Sequence, residues 1–216
     1  MNLIPDHQQE GRKLETMSMF VSLWVKLFFV LTPFFALTMF LSLTEKHAAT
    51  ERRKLAMSVS VAVALICLLL FFAGRQIFSV FGITLDSFRI GAGVLLLLSG
   101  IGLVHGKTRV TKNVEGDVAV VPLAIPIIVG PATTGTILVM GAELNAMSTK
   151  IIGCLAMLAA VASVAIVLLA GSFIQRVLGT RGIAILSRLT GLILSAIAAQ
   201  MIMTGVQAFL NCSTGQ

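Results

Sequence analysis

The groups best placed to do chemistry in this chain are backbone amides and carbonyls set free by prolines. Val121-Pro122-Leu123-Ala124-Ile125-Pro126-Ile127-Ile128-Val129-Gly130-Pro131-Ala132-Thr133-Thr134-Gly135 puts three prolines and two glycines into an otherwise apolar run, with another hydroxyl at Thr136. Each proline removes a backbone donor and crowds the preceding turn, at about 3 kcal/mol in a helix interior. Inside hydrocarbon the freed carbonyls need partners, so such backbone survives only against protein or a watery cavity. A companion break stands at Thr32-Pro33, and aligning Pro33 with Pro131 sets Thr38 opposite Thr136. Paired interruptions of this kind point to a midplane binding site. Half-helix N-termini offer N–H groups to an anion and exposed carbonyls accept from a cation, so a zwitterionic amino acid satisfies both ends. The candidate binding residues are Thr32, Pro33 and Thr38 from the first break and Gly130, Pro131, Thr133 and Thr134 from the second. Pro122, Pro126 and Gly135 shape the second break.

Other chemistries lack their residues. No Asp, Glu or His falls mid-span, and Asp86 and His105 stand near span ends. No zinc-protease, serine-hydrolase or P-loop pattern occurs, so an enzyme is not expected, nor a metal or other cofactor. Cys67 and Cys154 lie in apolar runs and read as small packing residues, with Cys212 in the tail.

The elements that must hold these breaks are membrane spans. The chain is 57% apolar and 12% charged, with a mean hydropathy of +1.00, about half the usual charged fraction. Leu55–Gly74, Val118–Ala142, Ile151–Gln175 and Leu189–Leu210 are each long enough to cross a bilayer, which takes ~20 residues. Met17–Thr44 and a stretch around Ile90–Gly106 bring the count to six. The acidic residues Asp6, Glu10 and Glu15, and the lack of a small-x-small site, argue against a cleaved leader and keep Met17–Thr44 as the first span.

Ala73-Gly74-Arg75-Gln76-Ile77-Phe78-Ser79-Val80-Phe81-Gly82 and Ala170-Gly171-Ser172-Phe173-Ile174-Gln175-Arg176-Val177-Leu178-Gly179 both read A-G-x-x-I-x-x-V-[FL]-G. Gly82-Ile83 before Arg89 and Gly182-Ile183 before Arg188 extend the repeat. The expected fold is an all-α membrane protein of six helices in two three-helix repeats, with helices one and four discontinuous. An odd span number per repeat inverts the second relative to the first. Residues 1–16 form a polar tail, 17–106 and 118–211 the two repeats, 107–117 a cytoplasmic linker and 212–216 a C-terminal tail.

The net charge of +7 resides mostly in loops, which points to membrane topology and lipid rather than nucleic acid. Counting Lys and Arg with both termini outside gives ten inside against six outside, the positive-inside bias. Trp24 and Lys26 read as an interfacial anchor of the first span. Asp86 or Ser87 is the expected cap of the third. Gly102 and Gly106 form a G-x-x-x-G suited to close helix packing, and Ser99 and Gln200 reach either a cavity or a neighbouring helix.

Several segments together resemble the MarC family of bacterial inner-membrane proteins. Val121-Pro122-Leu123-Ala124-Ile125-Pro126 with Gly130-Pro131 is similar to its V-P-L-A-x-P-x-x-x-G-P-G pattern. Phe81-Gly82-Ile83 through Arg89-Ile90-Gly91-Ala92-Gly93 is similar to F-G-I-x-x-x-x-x-R-I-A-G-G, and Ser187-Arg188-Leu189-Thr190-Gly191-Leu192 to x-R-[LI]-M-G-L. The resemblance covers roughly residues 17–211. It implies a bacterial inner-membrane carrier of small neutral amino acids such as glycine and alanine, with a coupling ion left open and the site at the broken spans. Two positions depart from the pattern: Thr32-Pro33-Phe34-Phe35 replaces [ND]-P-x-G, and Ala132 replaces the last glycine of G-P-G. A non-transporting scaffold and an exporter of other small compounds are the alternative readings.

Overall fold

The computed structural model describes residues 6–45, 47–106 and 128–214. Its helices are α1 (Asp6–Val30), α2 (Pro33–Leu43), α3 (Ala49–Phe81), α4 (Leu85–His105), α5 (Pro131–Glu143), α6 (Met147–Leu169) and α7 (Gly171–Thr214), and there is no strand among the described residues. Five stretches are long and apolar enough to cross a membrane: Lys13–Leu43, Ala49–Phe81, Leu85–His105, Met147–Leu169 and Gly171–Asn211. The expected fourth span is represented by α5, 13 residues long. Its leading part, with Pro122 and Pro126, and the 107–117 linker lie outside the described residues.

Local signals account for most boundaries. Thr84 caps α4 by accepting from the Ser87 backbone N–H at 3.2 Å, so the cap is Thr84 rather than Asp86 or Ser87. Arg52 closes the other end of the first span by donating from Nε to the Thr44 carbonyl and from Nη2 to the Glu45 carbonyl, two of the acceptors a helix C-terminus leaves over. The repeated ten-residue motif does different work in its two copies. In the first, α3 runs through Ala73-Gly74 without a break to Phe81, beyond the expected end at Gly74; in the second, the chain turns at Ala170 and restarts as α7. The closing glycine has a positive φ in both: Gly82 is left-handed at φ 63° and ψ 24°, and Gly179, at φ 65° and ψ 174°, interrupts α7. Only glycine takes these conformations without steric cost.

Small residues set the helix contacts. Apolar association gives little drive between helices in lipid, so close backbone approach matters more there than in water. The most extensive contact joins α4 to α7. Along it Gly93 and Gly100 face Gly191, Ser195 and Ala198, and Gly205 lies under Asp86. A Cβ on Gly100 would stand 2.7 Å from the Gly191 carbonyl oxygen, and one on Gly191 would stand 2.6 Å from the Gly100 oxygen. The expected G-x-x-x-G is not this seam: nothing lies within 4 Å of a Cβ on Gly102, and Gly106 is the left-handed C-cap of α4. The seam on α7 follows the 4-3-4-3 spacing of 191, 195, 198, 202 and 205, with Ile202 filling the fourth place.

The half-helices pack across the chain. Gly74 of α3 presses on the Leu138 backbone of α5, and Gly171 of α7 presses on Leu37 of α2. Helix α4 packs on α5 as α7 packs on α2, and α3 meets α5 as α6 meets α2. The largest cluster of buried side chains, including Leu37, Phe40, Cys67, Phe71, Ile137 and Met157, binds these elements together.

At Gly141 a methyl group would run into the Phe71 carbonyl of α3. Gly141→Ala is therefore expected to destabilise the protein by about 1–3 kcal/mol, the usual cost of overpacking. Gly102→Ala should be neutral or slightly stabilising, since alanine favours helix. Thermal melting of detergent-purified protein checks both, and equal melting points for the two variants would contradict the α3–α5 approach.

Candidate functional site

The two breaks have different backbone conformations. Proline disfavours helical geometry in the residue before it. Gly130 meets that demand with an extended conformation, φ −79° and ψ 178°. Thr32 meets it with φ 48° and ψ 58°, the one non-glycine with positive φ among the described residues. A β-branched residue in the left-handed region is an outlier, and such strain costs of order 1–3 kcal/mol and clusters at functional sites. Pro33 and Pro131 then open α2 and α5, each with no side chain capping its N-terminus.

One hydroxyl ties the breaks together. Thr133 Oγ1, 4% exposed, lies 3.3 Å from the Val30 carbonyl and 3.2 Å from the Ile128 carbonyl, and its single proton is shared between them. Val30 is the last residue of α1, so this is one of the carbonyls the first break leaves free. The contact also sets the negative end of α1 against the positive end of α5, a favourable dipole alignment.

A cavity of about 710 Å³ runs alongside, between α1, α5 and α7, with Arg89 of α4 at one end. Phe29 and Thr136 line it, one residue from Val30 and one helical turn from Thr133. Thr136 is buried and donates to the Ala132 carbonyl. At the other end Arg89 donates to Glu143 Oε1 from Nε at 2.9 Å and from Nη2 at 2.7 Å, and to Asp86 Oδ1 from Nη1 at 2.6 Å. This cluster pins α4 to the end of α5. Being partly exposed, it adds at most on the order of 1 kcal/mol. Lys26 of α1 lines the same cavity with Ser22, Gln200 and Thr204.

The structure brings together part of the expected site. Thr133 joins the neighbourhood of Thr32 through Val30, while Pro33 is buried and Gly135 packs with its Cα side against Ala92 of α4. Thr38 is exposed and donates to Phe34 in its own helix, as its counterpart Thr136 does to Ala132. Pro131 is exposed and Thr134 half-buried. None of Thr32, Pro33, Thr38, Gly130, Pro131, Thr133 or Thr134 lines the large cavity. Ser99 donates to Leu95 within α4, whereas Gln200 does reach the cavity. Trp24, expected at the interface, donates from Nε1 to Ser163 of α6 at 3.1 Å.

The sequence scan matches the model of the MarC family integral membrane proteins over residues 17–210. The chain belongs to the MarC family. A UPF0056 membrane protein of Pyrococcus abyssi is 35% identical, over 90% of this chain and 97% of its own length. One from Methanocaldococcus jannaschii is 33% identical over 90% and 98%, and one from Aquifex aeolicus 30% over 89% and 94%. No solved structure matches the chain. This MarC protein is thus a multi-pass integral membrane protein, with long apolar helices to match.

Sequence reading of the MarC chain passed over Lys26, Arg89 and Glu143 as site residues. A signal was available for the first. Ser22, Val25, Lys26 and Phe29 follow the i, i+3, i+4, i+7 spacing of one helix face, and all four line the cavity. A cation that deep in an apolar span costs about 3 kcal/mol on insertion scales, so it faces protein or water and marks function by default. Asn and Asp tolerate the left-handed conformation that Thr32 adopts, where other side chains pay ~1–2 kcal/mol. Thr32→Asn is expected to raise the melting temperature by about 2–4 °C, the shift that ~1 kcal/mol produces in a chain of this size. An unchanged or lower melting point would refute the strain at Thr32.

Proposed function

We propose that this protein is a secondary transporter of small neutral amino acids, glycine- or alanine-like, across the bacterial inner membrane. In this reading six spans form two inverted three-span repeats with both termini outside, and the repeats rock against each other around the paired breaks. The observation that carries it is the join between the breaks, where the Thr133 hydroxyl at the start of α5 holds the Val30 carbonyl at the end of α1. Irregular backbone at membrane depth is costly unless it lines a cavity or binds something, and here a cavity reaches to within one helical turn of it.

The cross-packing supports the repeat. Exchanging α2 with α5, α3 with α6 and α4 with α7 maps the contacts of one set onto those of the other, and it carries Gly74 on α5 into Gly171 on α2. Three spans per unit require inversion for such an exchange, and inverted units with discontinuous helices are a common carrier architecture. Small neutral amino acids suit the site because α2 and α5 both present uncapped N-termini, and the join supplies backbone acceptors.

Counterflow of labelled glycine and alanine in proteoliposomes tests the reading. Saturable exchange is expected in the wild type. Thr133→Val, which leaves the Val30 and Ile128 carbonyls without this partner, is expected to slow exchange about tenfold. An unmade bond to a buried acceptor costs ~1–3 kcal/mol, and a cost falling on one of two access states shifts their balance by that factor. Absence of exchange by folded wild-type protein would remove the amino-acid carrier assignment.

A further inference from the structure

Lys26 is the cationic residue nearest the middle of the first span, thirteen residues beyond its first residue and seventeen before its last. Its helix ends four residues later at the break. Lys26 lines the cavity between α1, α5 and α7 and forms no ion pair among the described residues. Both nearby carboxylates are engaged elsewhere: Glu143 receives two donors from Arg89, and Asp86 the third. The Arg89 cluster thus holds one cation against two anions, and neither carboxylate pairs with Lys26. Lys26 is left without a paired carboxylate among the described residues, in a place where charge is retained for function.

We propose that Lys26 is the carboxylate anchor of a binding site in this cavity, with a small monocarboxylate as ligand. This deepens the transport assignment and rests on it only for the identity of the ligand, since a carboxylate is the anionic group that glycine and alanine share. A single lysine without a paired carboxylate selects a monoanion. The one guanidinium in the lining is spent on Glu143 and Asp86, so no free bidentate fork remains for a phosphate dianion, and a lone ammonium acts as a point charge. Ser22, Gln200 and Thr204 supply polar groups around it. The cavity end at Phe29 and Thr136 then leads a ligand held at Lys26 toward the Val30–Thr133 join.

The phosphodiester of an anionic lipid is also a monoanion, and the experiment separates the two sources. Binding of radiolabelled alanine is measured on protein in phosphatidylcholine nanodiscs, with and without phosphatidylglycerol, and with propionate, alaninamide and methylammonium as competitors. The expected result is competition by propionate but not by alaninamide or methylammonium, and the same affinity in both lipids. Lys26→Gln should weaken binding at least tenfold and Lys26→Arg less than threefold. Competition by alaninamide as strong as by propionate would overturn the proposal without any variant being needed. So would wild-type affinity in folded Lys26→Gln, or alanine binding lost on adding phosphatidylglycerol. If labelled propionate binds through Lys26 and alanine does not, the anchor stands and the amino-acid assignment falls. If alanine counterflow survives in Lys26→Gln, the carrier assignment stands and the anchor falls.

Discussion

The structure depends on how two interrupted helices satisfy their backbone in a medium without water. A continuous span closes every interior N–H and C=O on itself, but a proline-broken one cannot, and each polar group left over in hydrocarbon costs several kcal/mol. The solution is mutual. Thr133, in the first turn of α5, gives its proton to carbonyls from both breaks, Val30 and Ile128. For that hydroxyl to arrive, α5 must lie close against the end of α1, and the glycines at 74 and 141 make room for its approach to α3. Thr32 bears part of the cost as a strained left-handed turn.

A tight seam and a looser region divide the rest of the molecule. Between α4 and α7 the backbones nearly touch, at Gly100 against Gly191 and Gly205 against Asp86, and even a methyl group at Gly100 or Gly191 would meet the opposite carbonyl. Across the cavity, α1 and α7 stand apart, and the space is lined by Ser22, Lys26, Gln200 and Thr204 rather than packed. Interiors as dense as the seam move as units, whereas change concentrates where packing is sparse. The Arg89 cluster straddles the two regions by holding the start of α4 to the end of α5.

Much of this was legible in the sequence, for reasons that differ by element. Prolines fix φ and delete donors whatever surrounds them, so the breaks at Thr32-Pro33 and Gly130-Pro131 could be located from type alone. Long apolar runs likewise gave five of the six expected spans among the described residues, and the MarC resemblance the family. What escaped depends on which face of a helix meets which neighbour. Gly102 and Gly106 have the right spacing but face open space and a C-cap, while Gly93, Gly100, Gly191 and Gly205, scattered in sequence, form the seam. Trp24 and Lys26 looked alike as residues near a span start; one bonds Ser163 inside the bundle and the other faces the cavity. The first apolar stretch runs from Lys13 to Leu43, which places Lys26 well inside it rather than at the expected edge of a span.

The same proline pattern gives two unequal breaks. Thr136 lines the cavity from α5, whereas its counterpart Thr38 on α2 is exposed on another surface. Thr32 is left-handed, whereas Gly130 is extended. If the two halves are the repeats of the proposed carrier, their different local geometries are what alternating access asks for, because a carrier open to one side cannot be symmetric. Under the carrier reading, the opposite state exchanges these roles, bringing the Thr38 face of α2 to a cavity and withdrawing Thr136. Neither Thr32 nor Gly130 is held by a side-chain cap, so what opposes the exchange is the shared bond at Thr133 and the packing of each half-helix on the other repeat.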